Sequence, residues 1–185
     1  MSSRAPAIGC ALTWAGLVTG AEWFARRSLR SRSTAWLAAY GALGGLALIT
    51  GARVRRRSGG FSLAGLTLAS IGYPLGRRIL GDQLTAQPPD DLAHELIAIN
   101  VVATTEELIW GSRVEPILGR PITAALFAAK HIVIDRRWRR GLGLFGFWMG
   151  LASLRKRWPL AALIVHGLLN SLGVVQGHLR GRDQF

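Results

Sequence analysis

Cysteine is almost absent from this chain of 185 residues, which contains only Cys10. A single cysteine excludes an intrachain disulfide and a cysteine-based zinc site. Lysine is also scarce, because Lys130 and Lys156 are the only two. The acidic residues number 10 against 23 basic ones. The positive charge is therefore almost all arginine, and an acidic residue inside an apolar stretch is an exception to be explained.

A net charge of +13 is found in many nucleic-acid-binding proteins. The arginines, however, lie in short clusters between hydrophobic stretches: RRSLRSR at 26–32, RVRRR at 53–57, DRRWRR at 135–140 and RKR at 155–157. Such clusters anchor membrane helices against anionic lipid head groups. We therefore expect membrane lipid, and no nucleic acid, as a partner. The bias toward Arg, Ala and Gly favours a bacterial source and hence the plasma membrane.

Hydrophobic residues make up half of the chain and alternate with the arginine clusters. A transmembrane helix needs about 20 predominantly apolar residues. The pattern predicts an all-α, polytopic transmembrane helical bundle of about seven spans. The first is interpreted as an uncleaved span, because its positive cluster follows the apolar run. The predicted spans are 7–25, 34–51, 61–80, 92–111, 121–134, 142–154 and 159–177.

The acidic, proline-bearing stretch GDQLTAQPPDD at 81–91 is a polar linker that divides the chain. Residues 1–80 are predicted to form scaffold helices and residues 92–178 a core that carries the chemistry, followed by a tail at 179–185. Small residues spaced as G-x-x-x-G favour close helix packing in lipid. The pairs are Gly16 and Gly20, Gly41 and Gly45, Gly146 and Gly150, and Gly173 and Gly177.

Two adjacent carboxylates, Glu106 and Glu107, lie near the end of the apolar stretch that begins at Leu92. A charge in the middle of a bilayer is costly, so intramembrane acids usually face a protein interior or a wet cavity and indicate function. Neighbouring residues on a helix diverge by about 100°. One glutamate can therefore face a cavity while the other contacts a neighbouring helix.

Two later apolar stretches carry further polar side chains: FAAKH, which ends at His131, and HGLLN, which runs from His166 to Asn170. Residues four apart on a helix share a face, which places Asn170 beside His166 and Phe127 beside His131. Taken singly, such residues are more often interhelical hydrogen-bond partners. A glutamate pair alone also fits an ion or proton pathway. Together and in order on successive spans, the three motifs favour a catalytic site.

The segments EELIWGSRVEPIL, FAAKH and HGLLN resemble, in order and interval, the three motifs of the CPBP intramembrane glutamic proteases, also called the Abi or CAAX-protease family. The resemblance covers about residues 92–177. It implies that Glu106 and His131 activate a water molecule. It also implies that His166 and Asn170 stabilise the oxyanion of the intermediate.

The remaining motif residues take supporting roles under the same resemblance. Glu107 would hold Arg113 or a backbone group, and Phe127 would form a wall of the site or simply pack. The family pattern has an arginine where this chain has Gly111. Arg113 returns to the face of Glu106 on a regular helix, so it is a candidate substitute for the missing cation. Lys130 has two interpretations: it extends to the membrane interface, or it neutralises Glu107.

A zinc site is the alternative interpretation of these acids and histidines, because both are zinc ligands. The chain has no HExxH and no other compact ligand spacing on one helix. With the resemblance, this favours a mechanism without metal or other cofactor.

The sequence therefore predicts an intramembrane peptidase of the CAAX type that hydrolyses a peptide bond of a membrane-associated or lipidated peptide. Two rivals stand beside it. One is a catalytically weak or inactive relative that acts in immunity or as a membrane scaffold, as Gly111 permits. The other is an ion or proton pathway built on Glu106, Glu107 and His131.

Overall fold

Each of the predicted spans coincides with a helix in the computed structural model, which describes residues 4–28, 31–53, 62–80, 91–135 and 138–180. No strand occurs within those ranges, so the all-α prediction is confirmed for them. In chain order the helices are α1 (Arg4–Arg27), α2 (Arg32–Ile49), α3 (Leu63–Leu80), α4 (Leu92–Ile109), α5 (Glu115–Leu118), α6 (Arg120–Asp135), α7 (Trp138–Arg157) and α8 (Pro159–Leu179).

Helix α8 is the one helix of the described segments that is both long enough and apolar enough to cross a membrane. The core helix of a soluble protein meets the same criterion. Seven crossings therefore stay a prediction. The predicted linker at 81–91 lies outside the described residues except for Asp91. The side chain of Asp91 accepts a hydrogen bond of 3.0 Å from the His94 backbone N–H, so Asp91 is the N-cap of α4. Residues 181–185 of the predicted tail also lie outside them.

The helices of the predicted scaffold pack directly onto those of the predicted core. Helix α3 lies along α7, α2 along α4, and α1 contacts α2, α4 and the turn that follows α4. Helices α3 and α7 approach closely at Gly150, where a Cβ would lie 2.9 Å from Cβ of Ala69, and at Gly65, where a Cβ would lie 3.2 Å from the Gly150 carbonyl oxygen. Helices α2 and α4 meet at Gly44, where a Cβ would lie 2.6 Å from Thr105 Oγ1.

Only part of the G-x-x-x-G prediction therefore describes real contacts. Gly150 lies in the α3–α7 contact, but no atom of the described residues lies within 4 Å of a Cβ built on Gly16, Gly20, Gly41 or Gly45. The α2–α4 contact uses Gly44 instead, because its face and not that of Gly41 and Gly45 points toward Thr105. Spacing identified glycine-rich faces but not the neighbours of those faces.

Many large apolar side chains are exposed on the surface of the bundle, and several charged ones are buried inside it. Ile49, Leu63, Val133 and Leu179 are 86, 70, 69 and 82% exposed. Among the residues that the structure describes, the buried charged and polar side chains are Glu22, Ser33, Glu95, Thr105, Glu106, Glu107, Thr123, Lys130 and His166. In proteins that fold in water, charged side chains are rarely buried unless they are paired, so these buried charges need an explanation.

The end of α4 is interrupted by a π-helical segment, Trp110–Val114, before the short α5. Pro116, near the start of α5, has no backbone N–H, and in a continuing α-helix its ring would clash with the carbonyl group four residues earlier. The wider π turn absorbs this conflict, and such turns recur at functional sites. It places the glutamate pair on the last regular turn of α4.

Candidate functional site

Glu106 and Glu107 are both buried, at 3% and 4% exposure, and they point to different neighbours. Glu106 faces α2, α6 and α8 through contacts with Tyr40, Lys130 and His166. Glu107 contacts Arg155 of α7 as well as His166. The divergence expected for adjacent helical residues thus gives each carboxylate its own cation while they share one imidazole.

His166 lies between the two carboxylates. Its Nδ1 is 3.1 Å from Oε1 of Glu107, and its Nε2 is 3.6 Å from Oε2 of Glu106. The Nδ1 contact is a hydrogen bond with Glu107, whereas Nε2 lies beyond hydrogen-bond distance of Glu106 and contacts it electrostatically. The imidazole therefore lies between two acids and is hydrogen-bonded to one of them. His166 is 1% exposed, and the ring of Phe147 packs edge-on against it at 5.1 Å between centroids.

Lys130 forms a buried ion pair with Glu106. The lysine is 2% exposed, so it does not extend to an interface, and its partner is not Glu107. Both interpretations of Lys130 from sequence are therefore wrong. The reason is geometric: α6 presents this side chain to the face of α4 that carries Glu106. The Tyr40 hydroxyl lies 3.5 Å from both Lys130 Nζ and Glu106 Oε1.

A second buried acid, Glu22 of α1, continues this polar cluster into the scaffold helices. The Tyr40 hydroxyl donates a hydrogen bond of 2.8 Å to Glu22, and the indole N–H of Trp36 donates one of 3.1 Å. Arg26 forms an ion pair with the other oxygen of Glu22 at 2.7 Å. Sequence reasoning missed Glu22 as a site residue. The available signal was an acid within an apolar run, the same signal that identified Glu106 and Glu107.

Arg155 is the cation that pairs with Glu107. Its Nε donates a hydrogen bond of 2.9 Å to Oε2 of Glu107, and the same guanidinium donates to Glu115. The side chain passes over Gly111, where a Cβ would lie 2.6 Å from Nε of Arg155. The absence of a side chain at position 111 therefore opens the path by which Arg155 reaches Glu107. Sequence reasoning missed Arg155, because it lies in an arginine cluster of the kind that anchors helix ends.

Arg113 does not take the supporting role predicted for it. Its guanidinium donates to the backbone carbonyl of Thr50 and lies 5.9 Å from the ring of Trp14. The prediction assumed a regular α-helix through residue 113, but the π turn at Trp110–Val114 changes the angular register. Arg113 consequently ties the end of α2 to this turn, and neither glutamate is among its contacts in the described part of the chain.

Phe127 is an aromatic wall residue with packing on several sides. Its ring is 1% exposed, stacks on Trp148 at 4.4 Å and meets Trp110 edge-on at 5.8 Å. His131 packs edge-on against the same ring at 5.3 Å and lies within electrostatic range of Glu22. The structure therefore places half-buried His131 on the α1 side of the cluster, next in sequence to Lys130.

Asn170 is half-buried on α8, one turn beyond His166. Its side chain makes no hydrogen bond with any residue that the structure describes. Of the four predicted catalytic residues, direct contact joins Glu106 and His166. His131 contacts Phe127, and Asn170 lies one helical turn from His166 and does not line the cavity beside Glu107. Glu107, which the sequence predicted only as a supporting residue, contacts His166 as Glu106 does and so belongs to the same cluster.

A cavity of about 400 Å³ opens beside this cluster, and Glu107, Glu115 and Arg155 contribute to its wall. Burial raises the pKa of Glu115 above its ordinary value; the guanidinium of Arg155 opposes this rise and the carboxylate of Glu107 adds to it. Among the residues of the buried cluster, Glu107 is the one whose side chain also lines this cavity. Water and a substrate group can reach the cluster from this side.

The pairing of each carboxylate with a cation also bears on metal binding. Glu106 binds Lys130, and Glu107 binds Arg155. Within the described ranges, no group of three or more His, Cys, Asp or Glu side chains is arranged to hold a metal ion.

Comparison of the whole chain with family models, curated proteins and solved structures finds no match.

Proposed function

We propose that this protein is a multi-pass membrane protein whose polar centre lies within the bilayer. Support comes from the many large apolar side chains exposed on its surface, together with the glutamates, the lysine and the histidine that are buried inside it. Intramembrane ionisable residues typically face the bundle interior and pair with one another, as these do. The arginine clusters at the helix ends fit anionic head groups.

The activity that the polar centre supports best is hydrolysis of a peptide bond in a membrane-associated peptide. The observation that carries it is His166 between two buried carboxylates, one of which borders a cavity. A carboxylate or imidazole is the usual general base for activating water. The resemblance of the three motifs to the CPBP intramembrane proteases points to the same reaction.

The cavity supports Glu107 as the residue that activates water, in place of Glu106. Glu107 removes a proton from a water molecule, and the resulting hydroxide attacks the carbonyl carbon of the peptide. The proton then passes to the leaving amine as the C–N bond breaks, and the peptide is released as a carboxylic acid and an amine. His166 relays protons between Glu107 and Glu106. Glu106 and its ion-pair partner Lys130 hold charge inside the cluster.

Arg155 takes the place of the arginine expected at position 111. Its guanidinium reaches Glu107 through the space left by Gly111, so the cation comes from α7 instead of α4. Under this proposal the departure from the family pattern relocates the charge and does not remove it. By the resemblance of the motifs we assign Asn170, one helical turn beyond His166, to the oxyanion of the tetrahedral intermediate.

A cleavage assay with purified protein in lipid nanodiscs tests the proposal. The substrates are peptides, with and without an attached lipid, whose fragments are identified by mass spectrometry. We expect Glu107→Gln and His166→Ala to abolish cleavage and Glu106→Gln to reduce it. His94→Ala replaces a histidine remote from the cluster and should cleave like the parent. Equal cleavage by all variants would exclude this site, and cleavage by none, the parent included, would favour an inactive immunity or scaffold protein.

A proton pathway is the second candidate, because the buried polar groups form an unbroken series. Glu22, Tyr40, Lys130, Glu106, His166 and Glu107 are linked in that order by contacts of 3.6 Å or less. A series of ionisable groups across a bundle can pass protons. Acidification of liposomes that disappears in Tyr40→Phe and Glu106→Gln, but not in His94→Ala, would favour this function over hydrolysis.

A further inference from the structure

The cavity beside Glu107 has a strongly basic mouth. Four of its lining side chains are cationic: Arg53, Arg120, Arg155 and Lys156. Only two, Glu107 and Glu115, are anionic, and Arg155 binds both of them. The wall of the cavity therefore carries a positive excess although its inner end is acidic.

Two of these cations are not used by the fold. Arg53 and Lys156 are exposed, and neither forms an ion pair or a hydrogen bond with any residue in the described ranges. Arg120 is only loosely engaged, with its Nε 3.8 Å from Glu115. Three positive groups from the end of α2, the start of α6 and the end of α7 thus face one opening without sufficient negative charge to balance them.

Backbone groups add to the positive potential at the same opening. Pro159, the first residue of the 21-residue helix α8, lines the cavity, and no side chain caps this helix at Trp158. Gly119 and Arg120, at the start of α6, line it as well. The N-terminal ends of helices carry partial positive charge, which favours a phosphate nearby. Pro159 has no N–H to donate, so the hydrogen bonds to phosphate would come from the basic side chains.

We propose that the mouth of this cavity is a phosphate-binding site, held by Arg53, Arg120 and Lys156. Its place at helix ends is the level at which lipid phosphates lie, so the favoured ligand is the phosphate of an anionic lipid head group. Free phosphate is the other source of the same chemistry. The inference rests on the membrane placement proposed above and is independent of whether a peptide is cleaved.

A lipid bound there would lie directly against the opening that leads to Glu107. It would either occupy the entrance in the resting protein or help to hold a lipid-attached substrate at it. Both roles require the same contacts, because basic side chains bind phosphate oxygens by charge-assisted hydrogen bonds.

The test measures binding to the full chain in a neutral detergent, with dihexanoyl phosphatidic acid, dihexanoyl phosphatidylcholine and inorganic phosphate as separate probes. The variant is Arg53→Gln/Lys156→Gln, and the control is Arg157→Gln/Arg180→Gln, which removes two exposed arginines outside the cavity. We expect saturable binding of phosphatidic acid that is at least about tenfold weaker in the variant, equivalent to the loss of one charge-assisted contact. The control should bind like the parent, and the zwitterionic lipid more weakly.

Binding of inorganic phosphate as tight as that of the lipid, and lost only in the cavity variant, would support the site and assign it to soluble phosphate. Equal weakening in variant and control would overturn the proposal, because it would show attraction to net charge alone. Absence of saturable binding of any probe would also overturn it. The cleavage assay is separate, so a parent protein that cleaves but shows no saturable phosphate binding would reject this site and leave the hydrolytic proposal standing.

Discussion

Arg155 occupies the space that a side chain at position 111 would need, since a Cβ on Gly111 would lie 2.6 Å from the guanidinium Nε. Arg155 cannot simply move aside, because the same guanidinium binds Glu107 and Glu115. The glycine and the arginine are therefore one structural unit. Position 111 is therefore the point at which Arg155 of α7 gains access to Glu107.

The first prediction concerns this glycine. We expect Gly111→Ala to lower the free energy of unfolding by about 1–3 kcal/mol, because the new methyl group displaces Arg155 or strains the π turn. Gly41→Ala is the matched control, because open space surrounds Gly41 on its helix. There the substitution should be neutral or stabilising by up to about 1 kcal/mol. Denaturant unfolding in detergent micelles measures both, and equal effects would contradict the contact.

The second prediction concerns moving the arginine from position 155 to position 111. Gly111→Arg alone introduces a clash, and Arg155→Ala alone leaves buried Glu107 without its arginine at a cost of about 3–5 kcal/mol. The double variant Gly111→Arg/Arg155→Ala returns a guanidinium to the vicinity of Glu107. We expect a favourable coupling energy of about 1–3 kcal/mol in a double-mutant cycle. Strict additivity of the two single effects would show that one residue does not replace the other.

The third prediction tests the ion pair between Lys130 and Glu106. Lys130→Met leaves Glu106 buried without its cation, which should lower stability by about 3–5 kcal/mol. The double variant Lys130→Met/Glu106→Gln removes the charge as well and should recover most of that loss. Lys156→Met, at an exposed lysine, should change stability by no more than about 0.5 kcal/mol. Thermal unfolding followed by circular dichroism distinguishes these outcomes, and no recovery in the double variant would argue against the pair.

The fourth prediction concerns pH and Glu115. Burial raises the pKa of this carboxyl, so the folded chain holds the proton more readily than the unfolded chain. The resulting stabilisation is present below the unfolded pKa of about 4.3 and is lost as the pH rises through the higher folded pKa. Glu115→Gln cannot titrate, so its unfolding temperature should fall less than that of the parent between about pH 4 and pH 7. A parent and variant with parallel pH profiles would contradict this assignment.

The fifth prediction addresses Asn170. If its amide donates to the oxyanion, Asn170→Ala should lower kcat by about 10²–10³ with little change in KM. Gln176→Ala removes an exposed amide on the same helix and should leave both constants unchanged. A change confined to KM would instead assign Asn170 to substrate binding.

Much of the fold could be predicted because apolar runs bounded by arginines specify helices locally. Each predicted span coincides with a helix, and the caps and breaks come from nearby residues such as Asp91 and Pro116. Glu106, Glu107 and His166 could be identified for the same kind of reason, since a charged or polar residue in an apolar run requires a partner. This need for a partner can be seen in the sequence without knowing how the helices pack.

The partners could not be identified, because they depend on how helices distant in sequence pack. Lys130 meets Glu106 only through the position of α6 against α4, and Glu22 joins the cluster through Tyr40 of α2. Arg155 has the sequence context of a membrane anchor, yet it points inward because Gly111 leaves room. The prediction that Arg113 supports the glutamates was wrong, because the π turn at Trp110–Val114 rotates its side chain away from them.

The most direct test follows the oxygen of water into the product. In water enriched in ¹⁸O, the parent protein should give a peptide fragment whose new C-terminal carboxylate carries one ¹⁸O atom. Glu107→Gln and His166→Ala should give no labelled fragment, while His94→Ala should give as much as the parent. Labelled product from Glu107→Gln at the parental rate would contradict a carboxylate-activated water at this centre.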